Sequence, residues 1–173
     1  MQRIIYKIIL LGNSGVGKTS CLVRYVDDKF NDNYKATLGF DISIKSIRTK
    51  EVDYSLAIWD IAGQDAMAEL RKSYMEGSQG AILIYDVTNE ETFNSINYWL
   101  NQLYQFVGHI PIILVGNKID LTDKIKISTE KGQNMAKLKK LDGYYETSAK
   151  TGQKVNEIFR KISELVYNYY SKQ

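Results

Sequence analysis

The sequence is short of the residues that carry disulfides, thiolate metal sites and histidine-based catalysis. Cys21 is the one cysteine among 173 residues. It rules out an intrachain disulfide and any zinc site built on several thiolates, and it suits a reducing, intracellular setting. His109 is the one histidine, so a hydroxyl–imidazole triad would have to run through it alone. The single proline, Pro111, sits at the start of an apolar strand run, where a missing N–H does little harm. No apolar run approaches the roughly 18 to 20 residues that span a bilayer. The opening MQRIIYKIILLG imitates a signal peptide only briefly. Its apolar stretch ends in a glycine loop instead of a small-residue cleavage site, so it reads as a buried first strand.

Strong charge is missing as well. The net charge is +3, and 18 of the 23 basic residues are lysine. Arginine is the better fork for phosphates and bases, and a weak positive balance falls short of binding that depends on phosphate neutralisation. No nucleic-acid partner is expected. What is present is an ordinary globular mix, 44% hydrophobic and 25% charged, with a length that suits one domain over residues 1–173.

Apolar segments alternate with turn signals in a regular order. Tyr6 to Leu11, Ala81 to Tyr85 and Ile110 to Val115 are continuous apolar runs of buried parallel-strand type. Asp41 to Arg48 alternates with period two, and a short polar turn joins it to Tyr54 to Asp60, which predicts an antiparallel hairpin. A short strand is expected near Tyr144 to Glu146. Helical spacing runs over Lys18 to Asp28, Glu91 to Val107 (with Thr88 and Glu91 as its capping box), Ser128 to Lys140 and from Val155 to Tyr169. Strands alternating with helices predict an α/β fold: a mostly parallel, doubly wound, six-stranded sheet with one antiparallel edge strand and about five helices. The ligand site is then expected at the C-terminal ends of the parallel strands.

Three motifs sit at those ends. Gly12-Asn13-Ser14-Gly15-Val16-Gly17-Lys18-Thr19 matches G-x-x-x-x-G-K-[ST] at every fixed position, after a strand and before a helix. Its glycines let successive N–H groups curl around phosphate oxygens, and the helix N-terminus adds partial positive charge. Lys18 would neutralise the β- and γ-phosphates and Thr19 would give its hydroxyl to Mg²⁺. This loop alone leaves ATP and GTP, and hydrolysis and transfer, undecided. Asp60-Ile61-Ala62-Gly63-Gln64 ends the Tyr54 to Asp60 strand. Asp60 suits a Mg²⁺ shell, Gly63 can bring its N–H to a γ-phosphate, and Gln64 can orient an attacking water. Asn117-Lys118-Ile119-Asp120 follows a third strand. Guanine offers an N1–H and a 2-amino group, and a carboxylate such as Asp120 accepts from both, whereas adenine has no such pair. Lys118 can lay its methylenes over one face of the base. Thr147-Ser148-Ala149-Lys150 closes the last strand, with the Ala149 N–H a donor for the guanine oxygen.

With these motifs in order, the sequence resembles a small GTPase of the Ras superfamily over about Tyr6 to Tyr170. YKATLGFD, IWDIAGQD, YDVT, GNKIDL and ETSAK are similar to the signature blocks of its Rab branch. The resemblance implies a P-loop NTPase G domain that binds GTP and GDP with Mg²⁺. Thr37 matches the threonine that binds Mg²⁺ and senses the γ-phosphate, Phe30 the aromatic stacked on guanine, and Tyr34 the switch tyrosine. Catalysis then falls to Gln64, Lys18 and Thr37, the metal to Thr19, Thr37 and Asp60, and nucleotide contacts further to Ser20, Gly63, Ser148, Ala149 and Lys150. Two loops, near Asn31 to Phe40 and Ala62 to Tyr74, would order around the γ-phosphate and relax after hydrolysis. Exchange factors, GTPase-activating proteins and effectors would read them, with Met67, Leu70, Trp59 and Tyr74 as apolar contacts.

The chain also departs from the Rab pattern. Ile42 replaces the usual aromatic, Ala66-Met67-Ala68 replaces an R-F-R, and Glu69 to Glu76 is closer to Ras. No arginine is evident near the γ-phosphate, and a cis role for Arg71 is disfavoured by its helical setting, so slow intrinsic hydrolysis is expected. Neither a terminal cysteine nor a glycine at position 2 is present, so no lipid-anchor motif is expected on this chain. A cytoplasmic monomer is expected, peripheral to a membrane only through partners or a tail absent here. The competing readings are a guanine-nucleotide scaffold with negligible hydrolysis and a P-loop kinase or ATPase. Cys21 reads as a core residue, His109 as a surface turn, and the lysines at 126, 131, 137, 139 and 140 as a solvated face.

Overall fold

The computed structural model describes residues 4–32, 37, 39–49, 52–63 and 68–172. The chain runs β1 (Ile4–Leu11), α1 (Lys18–Asp27), β2 (Phe40–Arg48), β3 (Asp53–Ile61), α2 (Ala68–Met75), β4 (Gly80–Asp86), α3 (Glu90–Asn94), α4 (Ile96–Phe106), β5 (Ile112–Asn117), α5 (Thr129–Leu138), β6 (Gly143–Thr147) and α6 (Val155–Tyr170). The six strands form one sheet in the order β2-β3-β1-β4-β5-β6. Only β2 pairs antiparallel, and it does so with β3. The expected hairpin and doubly wound sheet are therefore both present.

The continuous apolar strands divide their residues between two cores. Ile8 and Leu10 of β1, Ile82 and Ile84 of β4, and Ile113 and Val115 of β5 face α1 and α6. Their neighbours Ile9, Leu11, Ala81, Leu83, Ile112 and Leu114 face α2, α3, α4 and α5. A strand buried on both faces shows no hydrophobic alternation, which is why these segments read as unbroken apolar runs. Cys21 lies wholly inside the first core, and burial pushes its thiol up to about 12. His109 is exposed beside Tyr104. No helix among the described residues is long and apolar enough to cross a membrane.

The helix expected over Glu91 to Val107 is two helices. Ser95 interrupts it, turning its hydroxyl onto the Glu91 carbonyl at 2.9 Å, a back-bond that bends a helix. The expected capping box is also corrected. Asn89 is the N-cap and accepts from the Glu91 N–H. Thr88 is drawn instead to Asp86, whose carboxylate accepts from its N–H at 2.8 Å and its hydroxyl at 2.7 Å. A carboxylate two residues upstream outcompetes the helix end for that hydroxyl.

Gly80 opens β4 under α6, where an added Cβ would come 2.5 Å from Val166 Cγ2 and 3.0 Å from Ile8 Cδ1. Gly80→Ala is expected to lower folding stability by about 1–3 kcal/mol through overpacking, read as a lower urea midpoint at unchanged m.

Candidate functional site

The parallel register gathers the motif residues at one edge. Leu10 of β1 pairs with Asp60, Asp86 of β4 with Asn117, and Asn117 with Thr147. The loops that leave these strands share that edge.

The glycine loop between β1 and α1 has φ of 141° at Gly12, 80° at Gly15 and 100° at Gly17. These angles lie outside the range open to most side chains. A Cβ on Gly12 would also collide with the Ile84 carbonyl oxygen. Lys18 is buried with its ammonium folded into this loop, donating to the Gly12 carbonyl at 2.8 Å and the Asn13 carbonyl at 2.9 Å. Burial pulls its pKa down to about 8, against the pull of nearby Asp60.

Beside Lys18, three oxygen donors converge. The Thr19 and Thr37 hydroxyls lie 2.7 Å apart, Thr19 donates to Asp60 Oδ2, and Thr37 reaches the same oxygen at 3.5 Å. Asp60 is 1% exposed, and its other oxygen, Oδ1, is buried with no hydrogen-bond partner. Desolvation raises the Asp60 pKa, opposed by the Thr19 bond and by Lys18. The backbone of Gly63 sits against this loop, where an added Cβ would come 2.6 Å from the Gly12 oxygen. Ser14, Gly15, Gly17, Lys18, Thr19, Thr37 and Gly63 all line the resulting polar pocket.

A larger cleft of about 360 Å³ adjoins it through Gly15 and Gly17. Ser20, Phe30, Lys118, Asp120, Ala149 and Lys150 line it. Asp120 accepts from the Ser148 hydroxyl at 2.6 Å. Lys118 takes φ 73° and holds its ammonium 2.8 Å from Asp86 Oδ2. That ion pair fixes the methylene stem along the cleft wall.

Asn117 ties the glycine loop to the last loop. Its carboxamide is buried, donates to the Val16 carbonyl at 2.9 Å, and accepts from the Thr147 hydroxyl at 3.0 Å and the Ala149 N–H at 3.2 Å. Ala149 N–H, expected to meet a base oxygen, is thus engaged by Asn117, because the same turn points both groups inward.

Two members of the glycine loop are turned away. Val16 packs in the core, so only its backbone faces the site. The Asn13 side chain reaches α4, donating to the Ser95 hydroxyl at 3.1 Å and accepting from the Trp99 indole N–H at 2.8 Å. Gln64, Tyr34 and Met67 lie outside the described residues.

Several supporting groups carry no motif of their own. Asp86 steers Lys118. Arg24 of α1 donates to the Ala149 carbonyl at 2.9 Å and the Lys150 carbonyl at 2.5 Å, tying α1 to the last loop. Their only signal in the sequence was position, Asp86 at a strand end and Arg24 two turns into a helix. Arg71 is 1% exposed, donates to the Tyr98 hydroxyl and lies over the Trp99 ring. It packs on α4, which removes it as a cis arginine in this conformation. Away from both clefts, Phe40 stacks on Trp59 at 5.2 Å and against Tyr74 at 4.7 Å, with Ile42 and Leu70 exposed nearby.

Asn117→Ala would leave the Val16 carbonyl, the Thr147 hydroxyl and the Ala149 N–H without their partner. The expected loss of folding stability is about 2–4 kcal/mol, measured by urea denaturation.

The comparisons with known proteins agree with this geometry. The Ras family profile matches residues 7–168. The chain is 38% identical over 169 residues to Ras-related protein Rab-3C of Bos taurus, covering 97% of this chain and 74% of that one. It is 41% identical over 162 residues to Ras-related protein RabC of Dictyostelium discoideum, covering 91% and 82%. With Ras-related protein Rab-3 of Caenorhabditis elegans it shares 37% identity over 163 residues, covering 94% and 74%. A glycine loop, an aspartate beside two threonines and a carboxylate-lined second cleft, on a sheet of this order, belong with that likeness: the chain is a Rab-like small GTPase of the Ras family.

Proposed function

We propose that the chain hydrolyses GTP to GDP and phosphate and works as a switch whose two nucleotide states differ in partner binding. The observation that carries this is the junction of two unlike clefts. One is polar and built for phosphate around Lys18 and the glycine loop. The other has a carboxylate, an aromatic and a lysine stem placed for a purine. Asp120 accepts the two N–H groups of guanine, a pairing that adenine does not offer, and each bond to a charged acceptor is worth about 1.5–3 kcal/mol. Phe30 supplies an aromatic face for the base. Ser20, Ser148 and Lys150 complete the nucleoside side.

The donor set fits Mg²⁺. Two hydroxyls and one carboxylate are hard oxygen ligands, and the unpartnered Asp60 Oδ1 is a buried anion in need of a cation. Thr19, Thr37 and Asp60 would hold the ion, which when bound neutralises charge on the β- and γ-phosphates. In the reaction, water attacks the γ-phosphorus and the bond to the β–γ bridging oxygen breaks. Lys18 exchanges its loop carbonyls for phosphate oxygens and stabilises the departing charge. The loop N–H groups of Asn13 to Thr19 and the Gly63 N–H orient the phosphates, and Gln64 orients the water.

The intrinsic rate is slow. Among the described residues no arginine lines the phosphate pocket, and an arginine finger contributes about 10³–10⁵ in rate, a magnitude measured on Ras-type proteins. A GTPase-activating protein would supply it, exchange factors would reload GTP, and effectors would read the face around Phe40, Trp59, Tyr74 and Leu70. Control of membrane traffic is the cellular role that accompanies the Rab-like branch.

The decisive measurement is single-turnover phosphate release from GTP with Mg²⁺, beside ATP and Gln64→Leu. Slow release from GTP alone, lower still in the variant, is expected. Tight GTP binding without release would instead favour the scaffold reading, and equal use of ATP would overturn the role of Asp120. Asp120→Asn is expected to weaken GTP at least tenfold and to favour xanthosine triphosphate, whose C2 carbonyl accepts from the new amide; competition binding measures it.

A further inference from the structure

Among the described residues, Trp99 is the one side chain of α4 that meets both the Asn13 amide of the glycine loop and the Arg71 guanidinium of α2. Its ring is 3% exposed. On one side its indole N–H donates to Asn13 Oδ1 at 2.8 Å, and the Asn13 amide is held in turn by Ser95 Oγ at 3.1 Å. Over the ring lies the Arg71 guanidinium, its central carbon 5.0 Å from the ring centroid, with Nη1 bonded to the Tyr98 hydroxyl. A guanidinium that is 1% exposed has few places to go, because desolvating it is costly unless its surroundings compensate. The indole is therefore one anchor of α2, beside buried Met75 and the Tyr98 hydroxyl. The same indole holds the side chain of Asn13, a residue whose backbone carbonyl receives Lys18.

The chain between these anchors includes the catalytic segment. Asp60 and Gly63 begin it, with Gly63 packed on the backbone of Asn13 and Ser14. Arg71 ends it on Trp99. Both ends of that stretch are thus referenced to one residue of the phosphate loop, directly at Gly63 and through the indole at Arg71. We infer that Trp99 is a positioning residue for hydrolysis: it sets α2 against the phosphate loop, so the rate of the chemical step depends on it while the grip on the nucleotide does not. This inference rests on the GTPase reading above.

Three variants test it on the full chain. Trp99→Phe keeps a ring for Arg71 and removes the donor to Asn13. Arg71→Met removes the guanidinium and keeps the length of the chain. Tyr98→Phe removes only the hydroxyl that receives Arg71. Each is preloaded with GTP; phosphate release, GDP dissociation and thermal unfolding are then followed. Trp99→Phe and Arg71→Met are each expected to slow release roughly tenfold, since small misplacements of a reacting group carry such losses. Tyr98→Phe is expected to slow it less, with GDP dissociation within about twofold of the unaltered protein throughout. The Trp99→Phe/Arg71→Met pair should be no slower than the worse single variant, because both act through one indole. Release rates that stay unchanged while the unfolding temperature falls would overturn the proposal and leave Trp99 as core packing. Multiplying rates would overturn the coupling. If Trp99→Phe fails to fold, Arg71→Met decides alone: slowed release with unaltered GDP dissociation supports the proposal, and unaltered release overturns it. Absence of hydrolysis by the unaltered protein would bring down the GTPase reading itself, a result separate from any variant.

Discussion

The parallel pairing of β1 with β3 and β4 is the constraint on which the rest of the structure hangs. Its register sets Asp60 beside the start of the glycine loop, and the next two pairings carry Asp86, Asn117 and Thr147 along the same line. A slip of one residue in any of these strands would exchange its two faces, sending Ile8 and Leu10 to the core that Ile9 and Leu11 now fill. The two cores are lined by different helices. A slip would therefore misplace the site and unpack both layers at once. Site geometry and sheet stability are in this sense one property.

Around that frame the site is held by polar groups bonded to one another. Asn117 spans from the Val16 carbonyl to the last loop, and Arg24 reaches the same loop from the opposite side. Lys118 is held by Asp86, and Asp86 by Thr88. Buried polar networks of this kind are costly when partly satisfied and specific when complete. Among the described residues of the site, Asp60 stands apart, with one buried carboxylate oxygen that has no hydrogen-bond partner.

The sheet and the chemistry-bearing loops were legible in the sequence because each has a local signature. Unbroken Ile, Leu and Val runs mark strands covered on both faces, and the glycine loop and the N-K-x-D block carry fixed spacings that their chemistry requires. The break at Ser95 was not legible, because helical periodicity continues across it: Phe93, Ile96 and Trp99 all still face the core. What interrupts the helix is a hydroxyl whose second partner, Asn13, is 82 residues away. Arg24, Arg71 and Trp99 were hidden for the same reason. Each looks like an ordinary helix residue until the tertiary fold supplies the carbonyl, ring or amide that it meets. Thr88 was misread because two acceptors competed for one hydroxyl, and spacing alone does not rank them.

The two tryptophans have an optical consequence. Trp59 stacks on Phe40 with the Lys7 ammonium 3.9 Å from its ring centroid. Trp99 has the Arg71 guanidinium above it and an amide oxygen on its N–H. Indole emission shifts in wavelength and intensity with the charge, hydrogen bonding and hydration around the ring. One chromophore thus watches the β2–β3 face and the other the contact between α2 and the phosphate loop. The protein carries two intrinsic fluorophores in two different settings, one beside Lys7 and Phe40 and one beneath Arg71, so the two contacts can be followed separately in time without any added dye.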